Sequence, residues 1–242
     1  MQSDYVEIYE RLEREHWWWI ARRRIIRSVL ESLQAKDKDR MRLLDIGCGA
    51  GLGIASLRDR FDCTGIEPDS HLVQRARENT GVPILQSELP ITGNLLTPGF
   101  NFILLLDVLE HVEDEVEALR STFEYLAKDG YLIINVPAMP WLWSSHDEIN
   151  KHYRRYLAKQ LEERIHDAGL RLYSIRYWGS LLAPAAYFGR RLHKNSKTEG
   201  HDLRIPPRFV NQLLVESVVM EYWMTKMIRI PMGLSLLAVA YR

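Results

Sequence analysis

The sequence predicts an α/β fold built on a doubly wound, mostly parallel sheet, and three observations carry that prediction. From Met41 onward, short apolar runs alternate with segments of helical periodicity, the pattern of a parallel sheet covered by helices on both faces. One run, FNFILLL at 100–106, is apolar at nearly every position, as a central strand buried on both sides must be. Another, LLDIGCGAGLG at 43–53, ends in an acid and then in glycines at 47, 49, 51 and 53, a turn that lets a ligand touch backbone.

Two helical runs precede the first strand, over residues 4–34. Tyr5, Ile8, Tyr9 and Leu12 share a face of the first, and Trp17, Ile20, Ile25, Val29 and Leu30 mark the second. Three adjacent tryptophans, Trp17, Trp18 and Trp19, cannot all face one side of a helix; they read as a cap packed on the domain, with a cofactor lid as the alternative. The main pattern follows as strand 41–46, helix 51–59, strand 62–67, helix 70–78, strands 83–87 and 100–106, helix 113–128 and strand 130–136. A polar, aromatic stretch after Pro137 turns helical near Leu157, and residues 170–178 and 233–241 read as two final strands.

With 242 residues, 46% of them hydrophobic, the chain can bury one substantial core. Lys plus Arg and Asp plus Glu both number 32, so no global field favours a polyanion and nucleic acid is not an expected partner. Arg22, Arg23, Arg24 and Arg27 form a local basic cluster, and Arg190, Arg191, Lys194 and Lys197 a second; both read as solvated helix faces rather than binding patches. Two cysteines, Cys48 and Cys63, define no disulfide framework and suit a reducing cytosol. Cys48 reads as a small residue in a crowded turn rather than a nucleophile. No secretory signal opens the sequence and no apolar run approaches the ~20 residues of a spanning helix, so a soluble, cytoplasmic protein is expected.

The glycine loop narrows the ligand. A dinucleotide site wants Gly-x-Gly-x-x-Gly, but counting from Gly47 or Gly49 the last position is Leu52 or Ile54. Asp45, two residues before the first glycine, would repel a pyrophosphate and attract an ammonium or sulfonium group. Both points favour S-adenosylmethionine over NAD. Glu67 lies 20 residues beyond Gly47, the offset at which a carboxylate grips ribose hydroxyls in doubly wound folds. Asp107, at the end of an apolar strand, also suits a helix N-cap.

Taken in order, LLDIGCGAGLG, GIEPDS, FNFILLLDVLEHVEDE and DGYLIINVPA make the chain resemble the class I S-adenosylmethionine-dependent methyltransferases, from about Met41 to Gly179. The tryptophan-rich N-terminal helix and W…SSHD…N…HYRRY resemble a subgroup of bacterial small-molecule methyltransferases, type 11/12-like, some associated with cell-surface glycans. The resemblance implies a Rossmann-like, doubly wound seven-stranded sheet, mostly parallel with one antiparallel strand. Around it stand an N-terminal helical cap (1–40), a cofactor domain (41–179 and 233–242) and a helical insertion between the last two strands (180–232). The insertion reads as a cover over the acceptor side, with a dimer surface or a peripheral membrane contact as alternatives. A monomer or homodimer is expected.

The implied cofactor site comprises Asp45, Gly47, Cys48, Gly49 and Gly51 in the loop, Glu67 and Pro68 after the second strand, Ser87 or Glu88 near the adenine, and Asp107, Val108 and His111 after the fourth. The implied reaction yields S-adenosylhomocysteine and methylates a small molecule, foremost a hydroxyl of a sugar or other metabolite. A base must then take a proton, and His111, His146 and His152 are the histidines at hand. His146, followed by Asp147, is the foremost candidate, with His152 or Tyr153 orienting the substrate; alternatively His146 and Asp147 only tie down the loop. Asp107, Glu110 and His111 can in principle ligate a divalent metal, as resembling quinone O-methyltransferases suggest, but one carboxylate-rich turn without a second ligand cluster leaves no metal expected. A non-catalytic cofactor-binding protein and an NAD-dependent oxidoreductase remain the alternatives.

Overall fold

In the computed structural model, which describes residues 2–34, 40–93, 95–184, 205–228 and 230–242, seven strands make one sheet. They are β1 (Arg42–Ile46), β2 (Asp62–Glu67), β3 (Ile84–Gln86), β4 (Phe100–Leu106), β5 (Leu126–Pro137), β6 (Arg171–Trp178) and β7 (Ser235–Tyr241). Their order is β3-β2-β1-β4-β5-β7-β6, and β7 alone runs antiparallel, pairing with β5 and β6. This is the expected mostly parallel sheet with one antiparallel strand.

Strand side chains alternate between faces, and the core divides accordingly. Ile103 and Leu105 of β4 enter one cluster; Phe102 and Leu104 enter the other. The first is closed by α5 (Glu115–Phe123) and α7 (Ala158–Asp167), the second by α2 (Trp17–Leu33), α4 (Ser70–Thr80) and α8 (Arg208–Met224). α1 (Gln2–Glu15) and α6 (Ser145–Ile149) lie beyond the sheet's carboxyl edge, where α1 packs Val6 on Ala50 and Leu72.

Two helices are shorter than their periodicity predicts. α3 spans only Leu52–Ala55, because Ser56 turns its hydroxyl onto the Gly53 carbonyl (2.7 Å) and the chain continues in turns. α5 starts at its Asp114 cap, which accepts the Glu117 N–H at 3.0 Å, and stops at Phe123. The Tyr125 carbonyl then takes the N–H groups of Gly99 and Phe100 (2.9 and 3.0 Å), drawing the chain into β5 four residues before the expected strand.

In the insertion, α8 packs on α2. Its Asn211 accepts the Trp17 N–H at 2.9 Å and donates to the Glu15 carbonyl at 2.9 Å, and Glu216 pairs with Arg24. The second basic cluster, Arg190 to Lys197, lies outside the described residues. Among the described residues, no helix is long and apolar enough to cross a membrane.

Candidate active site

The loop after β1 is shaped by close approaches. Gly47 has φ 74°, and a Cβ there would stand 2.4 Å from Val108 Cγ2, so only glycine lets the turn pass beneath the β4 end. Gly51, at φ 82°, is pressed against Ala76 and Thr80 of α4. The N–H groups of Gly47 and Cys48 donate to the Ile66 carbonyl at 2.8 and 3.1 Å, tying the loop to β2. Glu67 completes the tie: its carboxylate accepts from Gly49 N–H at 2.9 Å and Asp69 N–H at 3.1 Å. Burial raises Glu67 above the ordinary carboxylate range, with those N–H groups opposing.

Beside the loop lies a cavity of about 500 Å³. Strand ends contribute Asp45, Gly47, Leu106, Asp107, Pro137 and Ser235; α1 contributes Ile8, Tyr9, Leu12 and Glu13; α2 contributes Trp17, Trp18, Trp19, Arg22 and Arg23. Glu110, His111, His146, Asn150, His152 and Arg155 supply a polar wall. Both N-terminal helices thus line the cavity, and all three tryptophans reach it. Trp18 also stacks on Trp178, centroids 4.3 Å apart, because its neighbours lie on other sides of α2. Among the described residues, the insertion's α8 lines none of this space and stands behind α2.

Of the expected cofactor residues, Asp45, Gly47, Cys48, Asp107 and His111 line the cavity. Gly49 lies under the Tyr9 ring, and Gly51 under α4. Glu67 is buried and bound to the loop; the Pro68 carbonyl accepts from Gln86 Nε2; Ser87 is half-buried and Glu88 exposed near the end of β3; Val108 packs on Gly47. Burial lifts the Asp45 carboxyl to about 7, Arg22 lowering it and Glu13 and Glu67 raising it further. Burial likewise pushes the Cys48 thiol up, the opposite of an activated nucleophile.

Asp107 is not the helix cap its position suggested. It adopts φ 60°, and its carboxylate takes Asn135 Nδ2 at 2.6 Å and the Arg22 guanidinium, while a 3₁₀ turn, Leu109–His111, begins beyond it without a side-chain cap. Asn135 in turn accepts from Trp178 Nε1 at 2.9 Å, so α2 is fastened to the strand ends by a continuous polar chain. The first basic cluster is not wholly solvated. Arg22 is committed to Asp107, Arg23 to the Glu13 main-chain carbonyl, Arg24 to Glu216 and Arg27 to Asp59 and the Ser56 carbonyl. Helical spacing carries the signal for Arg22, which lies on the same stripe as the buried Ile25 and Val29.

The histidines sort differently from their order in the sequence. Asp147, fully buried, accepts at Oδ1 from His152 Nδ1 at 3.0 Å and from Arg155 Nε at 2.8 Å, and at Oδ2 from the Ser144 N–H at 2.8 Å. The hydrogen bonds from His152 and Arg155 and the arginine charge outweigh burial and hold this carboxyl well below the usual range. His146 lines the cavity with its Nε2 3.2 Å from Asn150 Nδ2. Tyr153 places its ring at the surface, outside the cavity, and donates its N–H to the Glu110 carbonyl at 2.7 Å.

Ligand atoms of Glu110, His111 and His152 lie within 4.8 Å of one another, with the His111 and His152 rings edge to face. The three can hold a divalent ion only if Glu110 gives up the proton that its burial and Asp107 favour. Burial and then His152 lower His111, favouring its neutral form.

These residues fit S-adenosylmethionine. Glu13 Oε2, Arg22 Nε and Glu110 Oε2 are buried without hydrogen-bond partners, and all three residues line the one cavity. Asp45 and Glu13 offer carboxylates to a cation, while Gly47 and Gly53 bring bare backbone to its wall.

Comparison with known proteins agrees. A family model described as a methyltransferase domain matches residues 18–175. A ubiquinone biosynthesis O-methyltransferase of Caulobacter sp. is 34% identical over 100 residues, 39% of this chain and 40% of that protein. A mitochondrial ubiquinone biosynthesis O-methyltransferase of Schizosaccharomyces pombe is 28% identical over 101 residues, 39% of this chain and 37% of that one. The matched stretches thus span about two fifths of these relatives. A TehB-like S-adenosylmethionine-dependent methyltransferase from Corynebacterium glutamicum shares the fold, with TM-score 0.59 at 15% identity over 99% of this chain and 97% of that one. With its strand order, its glycine loop and the family match across more than half its length, the chain belongs to the S-adenosylmethionine-dependent methyltransferases.

Proposed function

We propose that this chain methylates a hydroxyl of a small molecule, with His152, held by Asp147, as the base that takes the hydroxyl proton. The observation that carries the reading is the 3.0 Å hydrogen bond between His152 Nδ1 and Asp147, made in the wall of the cavity that Asp45 and Gly47 also line. With Nδ1 donated to Asp147, Nε2 remains for the acceptor. The buried carboxylate fixes that tautomer and stabilises the imidazolium that forms. S-adenosylmethionine, when bound, supplies an electrophilic methyl group on a sulfonium. The chain's own work is to align the hydroxyl and keep water out, for which the capping helices are suited.

The apolar side chains of Ile8, Leu12, Trp17, Trp19 and Ile149 on the cavity surface favour a flat, apolar acceptor bearing the hydroxyl over a sugar. The names of the two curated relatives, both O-methyltransferases of ubiquinone biosynthesis, point the same way. Titration of S-adenosylmethionine and S-adenosylhomocysteine by calorimetry, with NAD as control, comes first. Catechols, phenols and sugars are then screened for S-adenosylhomocysteine release. Binding of both sulfur compounds and turnover of a phenolic hydroxyl is the expected result; NAD binding, or turnover of amines and no hydroxyl, overturns the proposal.

Glu67→Ala is expected to weaken S-adenosylmethionine binding at least about tenfold, since it removes a ribose acceptor and frees the Gly49 and Asp69 N–H groups together. A dissociation constant within twofold of the parent removes Glu67 from the cofactor site.

A further inference from the structure

We propose that Glu13 of α1 is a cofactor-binding residue, which together with Asp45 receives the α-ammonium group of S-adenosylmethionine. The inference rests on the cofactor reading above and adds a residue outside the matched segment 18–175.

Glu13 is 4% exposed, and its Oε2 has no hydrogen-bond partner although it is buried. A buried carboxylate oxygen left bare costs free energy unless something fills the place. The neighbouring arginines do not fill it. Arg22 is turned to Asp107 and the Leu106 carbonyl, and Arg23 Nη1 to the main-chain oxygen of Glu13 itself. The N–H groups of Ala50 and Gly53 favour the charged form, so the glycine loop and the α1 carboxylate face each other.

Asp45 and Glu13 line the same cavity and repel one another there. Burial drives Glu13, like Asp45, up to about 7. Two such carboxylates around one space call for a cation that also carries N–H donors. The sulfonium has charge but no N–H; the ammonium has three donors and satisfies the bare oxygen. Helix α1 is held in position for this by Glu10, which pairs with Arg75 at 2.8 Å, and by Val6 against Ala50 and Leu72.

The test compares two ligands by calorimetry, S-adenosylhomocysteine and its analogue lacking the α-amino group, first on the parent chain and on Glu13→Gln. The amide keeps an oxygen for the loop N–H groups, and Glu13→Asp, which keeps the charge but shortens the reach, serves as a second variant. Thermal melts establish that each is folded. We expect Glu13→Gln to weaken S-adenosylhomocysteine about 10- to 100-fold and the deaminated analogue less than about threefold, with Glu13→Asp between. Unchanged affinity for S-adenosylhomocysteine, or equal losses for both ligands, overturns the proposal. If the parent chain binds neither S-adenosylmethionine nor S-adenosylhomocysteine, the cofactor reading falls and this inference with it, whereas a binding parent and an indifferent Glu13→Gln overturn only the role of Glu13.

Discussion

His152→Asn is expected to lower kcat by about 10²- to 10⁴-fold while leaving the dissociation constant for S-adenosylmethionine within about threefold of the parent. Asparagine keeps a donor for Asp147 and removes the second ring nitrogen of a histidine that lines the cavity. His146→Ala separates the two histidines. If His152 is the base, the His146 variant retains most turnover; if it falls as far and His152→Asn does not, the roles are exchanged. Repeating the assay with a chelator distinguishes a base from a ligand in the Glu110, His111 and His152 cluster, because a chelator leaves a base-driven reaction unchanged.

That His152 rather than His146 holds the carboxylate illustrates where the sequence stopped being legible. Asp147 follows His146 directly, but both sit in α6, where consecutive side chains point about 100° apart. Asp147 turns inward instead, to a histidine five positions on, which the end of α6 and the turn after it bring back; the His152 N–H also bonds the Asp147 carbonyl at 2.9 Å. Pairing across a short helix and its turn leaves no periodic trace.

The strands, by contrast, were readable because burial on both faces forces an apolar run whatever the partner. Asp45 and the glycines were readable because the turn tolerates little else at Gly47 and Gly51. Glu13 was not: among Glu10, Arg11, Arg14 and Glu15 on a charge-rich helix it looks like any solvated acid, and only the docking of α1 over the loop buries it. Arg22 departs from the solvated face expected of its cluster for the same reason, since its partner Asp107 comes from a distant segment, whereas Arg24 stays exposed as expected.

Asp147→Ala is expected to be the most damaging single change to stability, by about 3–5 kcal/mol. The carboxylate is fully buried and serves Ser144, His152 and Arg155 at once, and Arg155, itself 7% exposed, would keep its charge with, among the described residues, the Ala138 carbonyl as its remaining hydrogen-bond partner. For a chain of this size the melting temperature should fall by roughly 6–20 °C. Arg155→Met in the Asp147→Ala background should recover part of the loss, because the uncompensated charge causes most of it; additive losses would show the two residues to be independent. The same carboxylate sets an acid limb. Its folded-state pKa is depressed by His152 and Arg155, so its contribution is complete above the unfolded value of about 4 and is lost as pH falls below that toward the folded value. Denaturant midpoints measured from pH 6 downward should therefore decline more steeply below about pH 4 in the parent than in Asp147→Ala, and parallel curves would remove Asp147 as the group responsible.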